Sequence, residues 1–223
     1  MSEATHRAGT PARPLLMERM LCFSDGVFAI VLTLLALDLR LPAGANDAHL
    51  FLAAEQIAGQ LTAFALSFAL VGAFWLAHLS TMRALARFDW VVAGVNVVFL
   101  FTVTLTPFAS ALVGRFGNQG VAWRFYCLTI ILISLAQCAL IAISHRDEPS
   151  IIFAEHHGRL WYRLARSATP AIAFFIGLAL SVWGQHEIAA FCWVLVPPLM
   201  LALRFVFHER AGIGMLQAPS EPA

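Results

Sequence analysis

The sequence predicts an all-α integral membrane protein with six transmembrane helices. Three observations carry that reading. Hydrophobic residues make up 60% of the 223-residue chain and charged residues only 12%, against about 25% charged in soluble domains. Six apolar stretches are candidates for crossing a hydrocarbon core of about 30 Å, which takes roughly 20 residues of helix. The arginines, finally, cluster on alternate connections.

Residues 1–14 are polar and broken by Pro11 and Pro14. They read as a disordered cytoplasmic tail, with no cleavable leader, because the apolar run behind them is long enough to span. The first span runs from about Leu15 to Leu41 and stops at Pro42, and the second from about Leu50 to Leu79. The third, about Trp90 to Val113, contains Pro107; the fourth covers about Val121 to Ile143. The longest connection follows, about residues 144–167. There Glu155 to Arg163 mix arginines with aromatics, a pattern suited to the headgroup level. The fifth span, about Ala168 to Trp183, is the shortest. The sixth, about Ile188 to Phe207, carries Pro197-Pro198, which packed membrane helices tolerate better than lipid-facing ones. Residues 15–208 thus form one six-helix domain, and 209–223 a cytoplasmic C-terminal tail. No internal duplication is evident.

The chain has no lysine, so all 14 basic residues are arginines. With the N-terminus inside, eleven fall on the cytoplasmic side and only Arg40, Arg115 and Arg124 outside. The positive-inside rule therefore places both termini of this multi-pass chain in the cytoplasm, with the plasma membrane as the expected location. A formal net charge of +1 gives no reason to expect nucleic acid as a partner. The lipid bilayer is the partner the composition demands.

The pattern also narrows the chemistry. Cys22, Cys127, Cys138 and Cys192 form no Cys-x-x-Cys pair and sit in apolar stretches, which suits packing better than metal binding. His156 and His157 are adjacent and so face different ways on a helix. The Thr102 to Thr106 segment lacks the glycines of a carbonyl selectivity filter. No nucleophile–base pair, phosphate-binding glycine loop or zinc motif is present. No enzyme activity, metal or cofactor is expected.

The first span holds Asp25, and an ionisable residue inside a membrane helix is a functional candidate by default. Asp38 lies at the helix end, near water. At about 100° per residue, Arg19, Phe23, Gly26, Ile30, Leu34 and Leu37 share one stripe, with Thr33 on its shoulder. Asp25 points about 140° away from Ile30, so it cannot line the same surface and needs partners on neighbouring helices. Trp75 and His78 on the second span and Asn96 on the third can supply them. Such clusters commonly fix helix packing; a proton relay or a substrate site are the alternatives. Periodicity alone does not separate a pore-lining stripe from a lipid-facing one.

The run Arg19-x-x-x-Phe23-Ser24-Asp25, continued by Gly26-Val27-Phe28-Ala29-Ile30 and Thr33-Leu34-Leu35, closely resembles the signature of the transmembrane protein 175 family. These are the endolysosomal potassium channels and their prokaryotic relatives. The likeness extends through Phe74-Trp75-Leu76-Ala77-His78, through Asp89 and Asn96, and through Thr106-Pro107-Phe108. Where relatives often show a second histidine, this chain has Leu79. The resemblance implies a potassium-selective channel with a hydrophobic constriction in place of a carbonyl filter. It implies one six-helix repeat per subunit and a homotetramer whose pore is lined by helix 1. Ile30, Leu34 and Leu37 would form the constriction, and Thr33 would bear on selectivity. Arg19, Phe23, Ser24, Asp25, Trp75, His78 and Asn96 would form a polar network holding the pore helix. Potassium would be the permeant ion. A proton-coupled secondary transporter using Asp25 and His78 is the competing expectation, although such carriers usually show paired repeats or broken helices.

Overall fold

A computed structural model describes residues 12–40, 50–83, 85, 89–117, 119–145, 153–185, 188, 191–203 and 205; the side chains of 12–14, 50–56 and 153–159 are outside that description. The expected C-terminal tail, nearly all of the expected N-terminal tail, and the His156 and His157 side chains lie outside it.

Among the described residues every regular element is helical. In chain order these are α1 (Ala12–Leu37), α2 (Leu50–Arg83), α3 (Trp90–Thr104), α4 (Thr106–Phe116), α5 (Gly120–Ser144) and α6 (Phe153–Val182). A short apolar helix follows, α7 (Cys192–Leu203), which opens with a 3-10 turn over Cys192–Leu195. Five segments are long and apolar enough to cross a bilayer: Leu15–Leu37, Ile57–Arg83, Trp90–Phe116, Gly120–Ser144 and Leu160–Val182. The protein is therefore multi-pass, with five span-length helices and a shorter apolar one among the described residues.

Each departure from the expected boundaries has a local cause. α1 stops at Leu37 rather than Leu41. Pro42 has no N–H for the Asp38 carbonyl, and its ring would collide with that carbonyl in a continued helix. A tight turn closes the end instead, with Leu39 N–H donating to the Ala36 carbonyl at 3.2 Å. The third span divides into α3 and α4 at Leu105, because Pro107 removes the N–H that would pair with the Val103 carbonyl. Pro107 instead occupies the first turn of α4, where proline is tolerated. The fifth span is not the shortest: α6 is 30 residues long. The segment around Trp161 belongs to its opening stretch, and the connection before it shrinks accordingly. In the sixth apolar stretch the continuous described helix is Cys192–Leu203. That is about 18 Å at 1.5 Å per residue.

α5 is the centre of the bundle. It packs most extensively against α6, and also against α3 and α4, while α1 rests on α2, α3 and α4. Tyr126, Cys127, Ile130, Ile133 and Leu140 of α5 are fully buried, with Phe99 and Val103 of α3 and Phe174 of α6. The Tyr126 hydroxyl shares a 3.0 Å hydrogen bond with Ser67 of α2, which satisfies both polar atoms in the core.

Candidate functional site

α1 presents two opposite faces. Ser24, Phe28, Val31 and Leu35, spaced four, three and four residues apart, turn into the bundle and are buried. Ile30 is 60% exposed, Leu34 41%, Leu37 69% and Phe23 57%. Arg19, Gly26 and Thr33 are exposed with them. The whole predicted stripe thus stands on the outside of the subunit, not within its bundle. A Cβ placed on Gly26 would meet nothing within 4 Å, so this face has room for a close neighbour. The Thr33 hydroxyl bonds back to its own helix, at 2.8 Å from the Ile30 carbonyl and 3.1 Å from that of Ala29.

The inward side of α1 meets a chain of polar groups. Ser24 Oγ donates to the Met20 carbonyl at 2.9 Å and accepts from Asn96 Nδ2 at 2.9 Å. Asn96 Oδ1 lies 2.8 Å from His78 Nε2. Because the Asn96 amide already donates to Ser24, its carbonyl oxygen must accept, which places a proton on His78 Nε2. Ser24, His78 and Asn96 are all buried. His78 also stacks on Phe99, with ring centroids 5.4 Å apart and planes 5° apart, and Phe28 lies against both rings. The imidazole is therefore fixed by packing as well as by its hydrogen bond.

Asp25 makes a separate contact. Trp75 Nε1 donates to Asp25 Oδ1 at 2.8 Å, tying α1 to α2. Trp75 and His78 lie three residues apart on α2, so one helix face holds both ends of the arrangement. Asp89 caps the start of α3 by accepting from Val91 N–H at 3.1 Å, which sets the helix two turns before Asn96.

Of the residues expected in the network, the structure brings together Ser24, His78 and Asn96, and pairs Asp25 with Trp75. Arg19 and Phe23 stand apart on the exposed face, and among the described residues neither makes a hydrogen bond to the network. Sequence reasoning did not find the contacts at the far end of α1. Arg115 Nη2 lies 3.7 Å from Asp38 Oδ1. The Arg40 N–H donates to Gln60 Oε1 at 2.9 Å. The available signal was a carboxylate at a helix C-terminus, where the helix dipole disfavours it unless a cation is near. Among the described residues no cluster of His, Cys, Asp or Glu could hold a metal ion.

The comparisons with known proteins bear on this arrangement. Residues 19–107 match the family model described as endosomal/lysosomal potassium channel TMEM175. A potassium channel of Streptomyces collinus is 31% identical over 126 residues, which cover 55% of this chain and 61% of the relative. The match thus spans less than two thirds of that relative's length. A potassium channel of a Chryseobacterium species is 26% identical over 187 residues, covering 79% of this chain and 92% of the relative. The crystal structure of a lysosomal potassium-selective channel TMEM175 homolog from Chamaesiphon minutus superposes with a TM-score of 0.71 at 24% identity. That likeness covers 84% of this chain and 97% of the other, and it concerns the fold.

Proposed function

We propose that the chain is a member of the TMEM175 family, a reading supported by the match over residues 19–107 and by the relatives described above, and that it is a potassium-selective cation channel whose pore is lined by α1. The observation that carries this reading is the outward stripe of Ile30, Leu34 and Leu37 on a helix whose other side is anchored by buried polar contacts. A stripe outside the subunit can be shared by several copies around one axis. We take the assembly to be a homotetramer in the plasma membrane, with both termini cytoplasmic.

Four copies of the stripe would make an apolar neck. An ion passing it sheds part of its hydration shell, and a neck too narrow to wet is closed. Potassium gives up water at lower cost than sodium, so a dehydrating neck favours it. Thr33 suits a place beside this neck. Its hydrogen is engaged by the helix backbone, so the oxygen of this exposed residue is left as an acceptor that can offset part of the dehydration. Asp25, paired with Trp75 about 140° round the helix from Ile30, would hold the helix in rotation rather than touch ions. Arg19 and Phe23, on the exposed side, would act between subunits.

The carrier alternative finds less support. Asp25 and His78 have different partners, Trp75 and Asn96. Among the described residues no direct hydrogen bond joins the two. The test is the potassium-to-sodium permeability ratio, read from reversal potentials in planar bilayers. Ile30→Asn introduces a polar side chain that wets the neck and lowers the ratio several-fold. An unchanged ratio in a conducting variant contradicts the reading, and so does a wild-type protein that transports without unitary currents.

A further inference from the structure

The C-terminal end of α1 is held by contacts outside the network described above. Asp38 follows Leu37 directly and sits where the helix dipole is negative, so its charge opposes the helix that carries it. Arg115, in the last turn of α4, is favourably placed for its own helix and lies 3.7 Å from the Asp38 carboxylate. Two residues later, the Arg40 N–H is taken by the Gln60 side chain of α2 at 2.9 Å. Both partners reach α1 because α2 and α4 approach closely. A Cβ on Gly114 would lie 3.3 Å from the Gln60 Cα. The three helices enclose a small crevice lined by Leu35, Asp38, Gln60, Phe64, Ser110 and Gly114.

We propose that Asp38, Gln60 and Arg115 act as positioning residues: they clamp the end of α1 and so set where Leu37 stands in the pore. The proposal rests on the channel reading for its functional consequence but not for the clamp itself. Arg115 and Asp38 are 47% and 33% exposed. A pair so open to solvent adds little to global stability. Its effect lies in the local geometry of residues 36–40, and through Leu37 in ion preference. Gly114 is part of the device, because a Cβ there would press on the Gln60 backbone at 3.3 Å and push α4 and Arg115 outward.

The test uses the 223-residue chain in lipid nanodiscs and compares Arg115→Gln, Asp38→Arg, Gln60→Ala and the exchanged double variant Asp38→Arg/Arg115→Asp. The first readout is amide hydrogen exchange over residues 36–40, and the second is the potassium-to-sodium permeability ratio. Exchange rises about threefold in each single variant, the effect of losing one partly exposed contact, and falls back in the exchanged pair. The permeability ratio drops in the single variants and recovers in the exchanged pair, while melting temperatures stay near the wild type. Unaltered exchange over 36–40 in the single variants overturns the clamp. So does an exchanged pair as impaired as Asp38→Arg alone, which would mean that Asp38 acts on ions directly. If no variant and no wild-type protein conducts potassium, the channel reading fails, and the exchange measurement still decides the clamp.

Discussion

At the scale of the residue, Asn96 is the hinge of the buried polar chain. It donates to Ser24 and accepts from His78, and both partners are buried with it. Asn96→Leu strands the His78 donor and lowers stability by about 1–2 kcal/mol, a range set by buried hydrogen bonds in general and by the weaker values found between membrane helices. Thermal unfolding in detergent measures this. Ser24 keeps its own donor bond to the Met20 carbonyl, so His78 is the group left unpaired. Replacing both partners, as His78→Phe with Asn96→Leu, leaves no orphan and sets a third aromatic ring beside Phe28 and Phe99. The double variant is therefore more stable than Asn96→Leu alone; equal or greater loss contradicts this account of His78. Helical periodicity made part of this legible in the sequence, since it separated Asp25 from the Ile30 stripe and required partners on other helices. The same wheel placed Arg19 and Phe23 on the exposed stripe, which is why they do not join the network. The aromatic packing around His78 was not legible, because Phe28 and Phe99 are distant in sequence and only folding brings them together.

At the scale of the element, prolines and close approaches decide where helices end and how near they lie. Pro107 divides the third span, and Pro107→Ala restores an N–H for the Val103 carbonyl. That variant melts no lower than the wild type, and its residue 107 amide is protected from hydrogen exchange; a lower melting temperature contradicts a merely local role for the proline. Gly114 is the opposite case. Gly114→Val forces α4 away from α2, since even a Cβ there meets the Gln60 backbone at 3.3 Å, and overpacking of this kind costs about 1–3 kcal/mol. Loss of less than that by thermal unfolding shows that the contact yields. The first four spans were readable from hydropathy because each holds a long apolar run with few charged residues. α6 was truncated in the reading because Arg159, Arg163 and Arg166 interrupt its apolar run. Its continuity comes instead from packing on α5, which hydropathy does not record. Within the sixth stretch, apolar composition says nothing of the 3-10 turn that opens α7.

At the scale of the whole molecule, one subunit buries its Ser24–Asn96–His78 contacts inward and leaves its candidate pore stripe facing out. A face of that kind becomes a pore only in company, so the account requires oligomers. Native mass spectrometry of the purified protein should return four times the 24.4 kDa chain mass; a monomer under conditions that preserve channel activity contradicts the tetramer. Neither subunit number nor symmetry was legible in the residues themselves, because a stripe seen on one helix carries no record of how many copies surround it. The most direct measurement is an electron cryo-microscopy reconstruction of the protein in nanodiscs. The account predicts a four-fold axis with the side chains of Ile30, Leu34 and Leu37 converging on it from α1. A reconstruction that places those three side chains against lipid would contradict it.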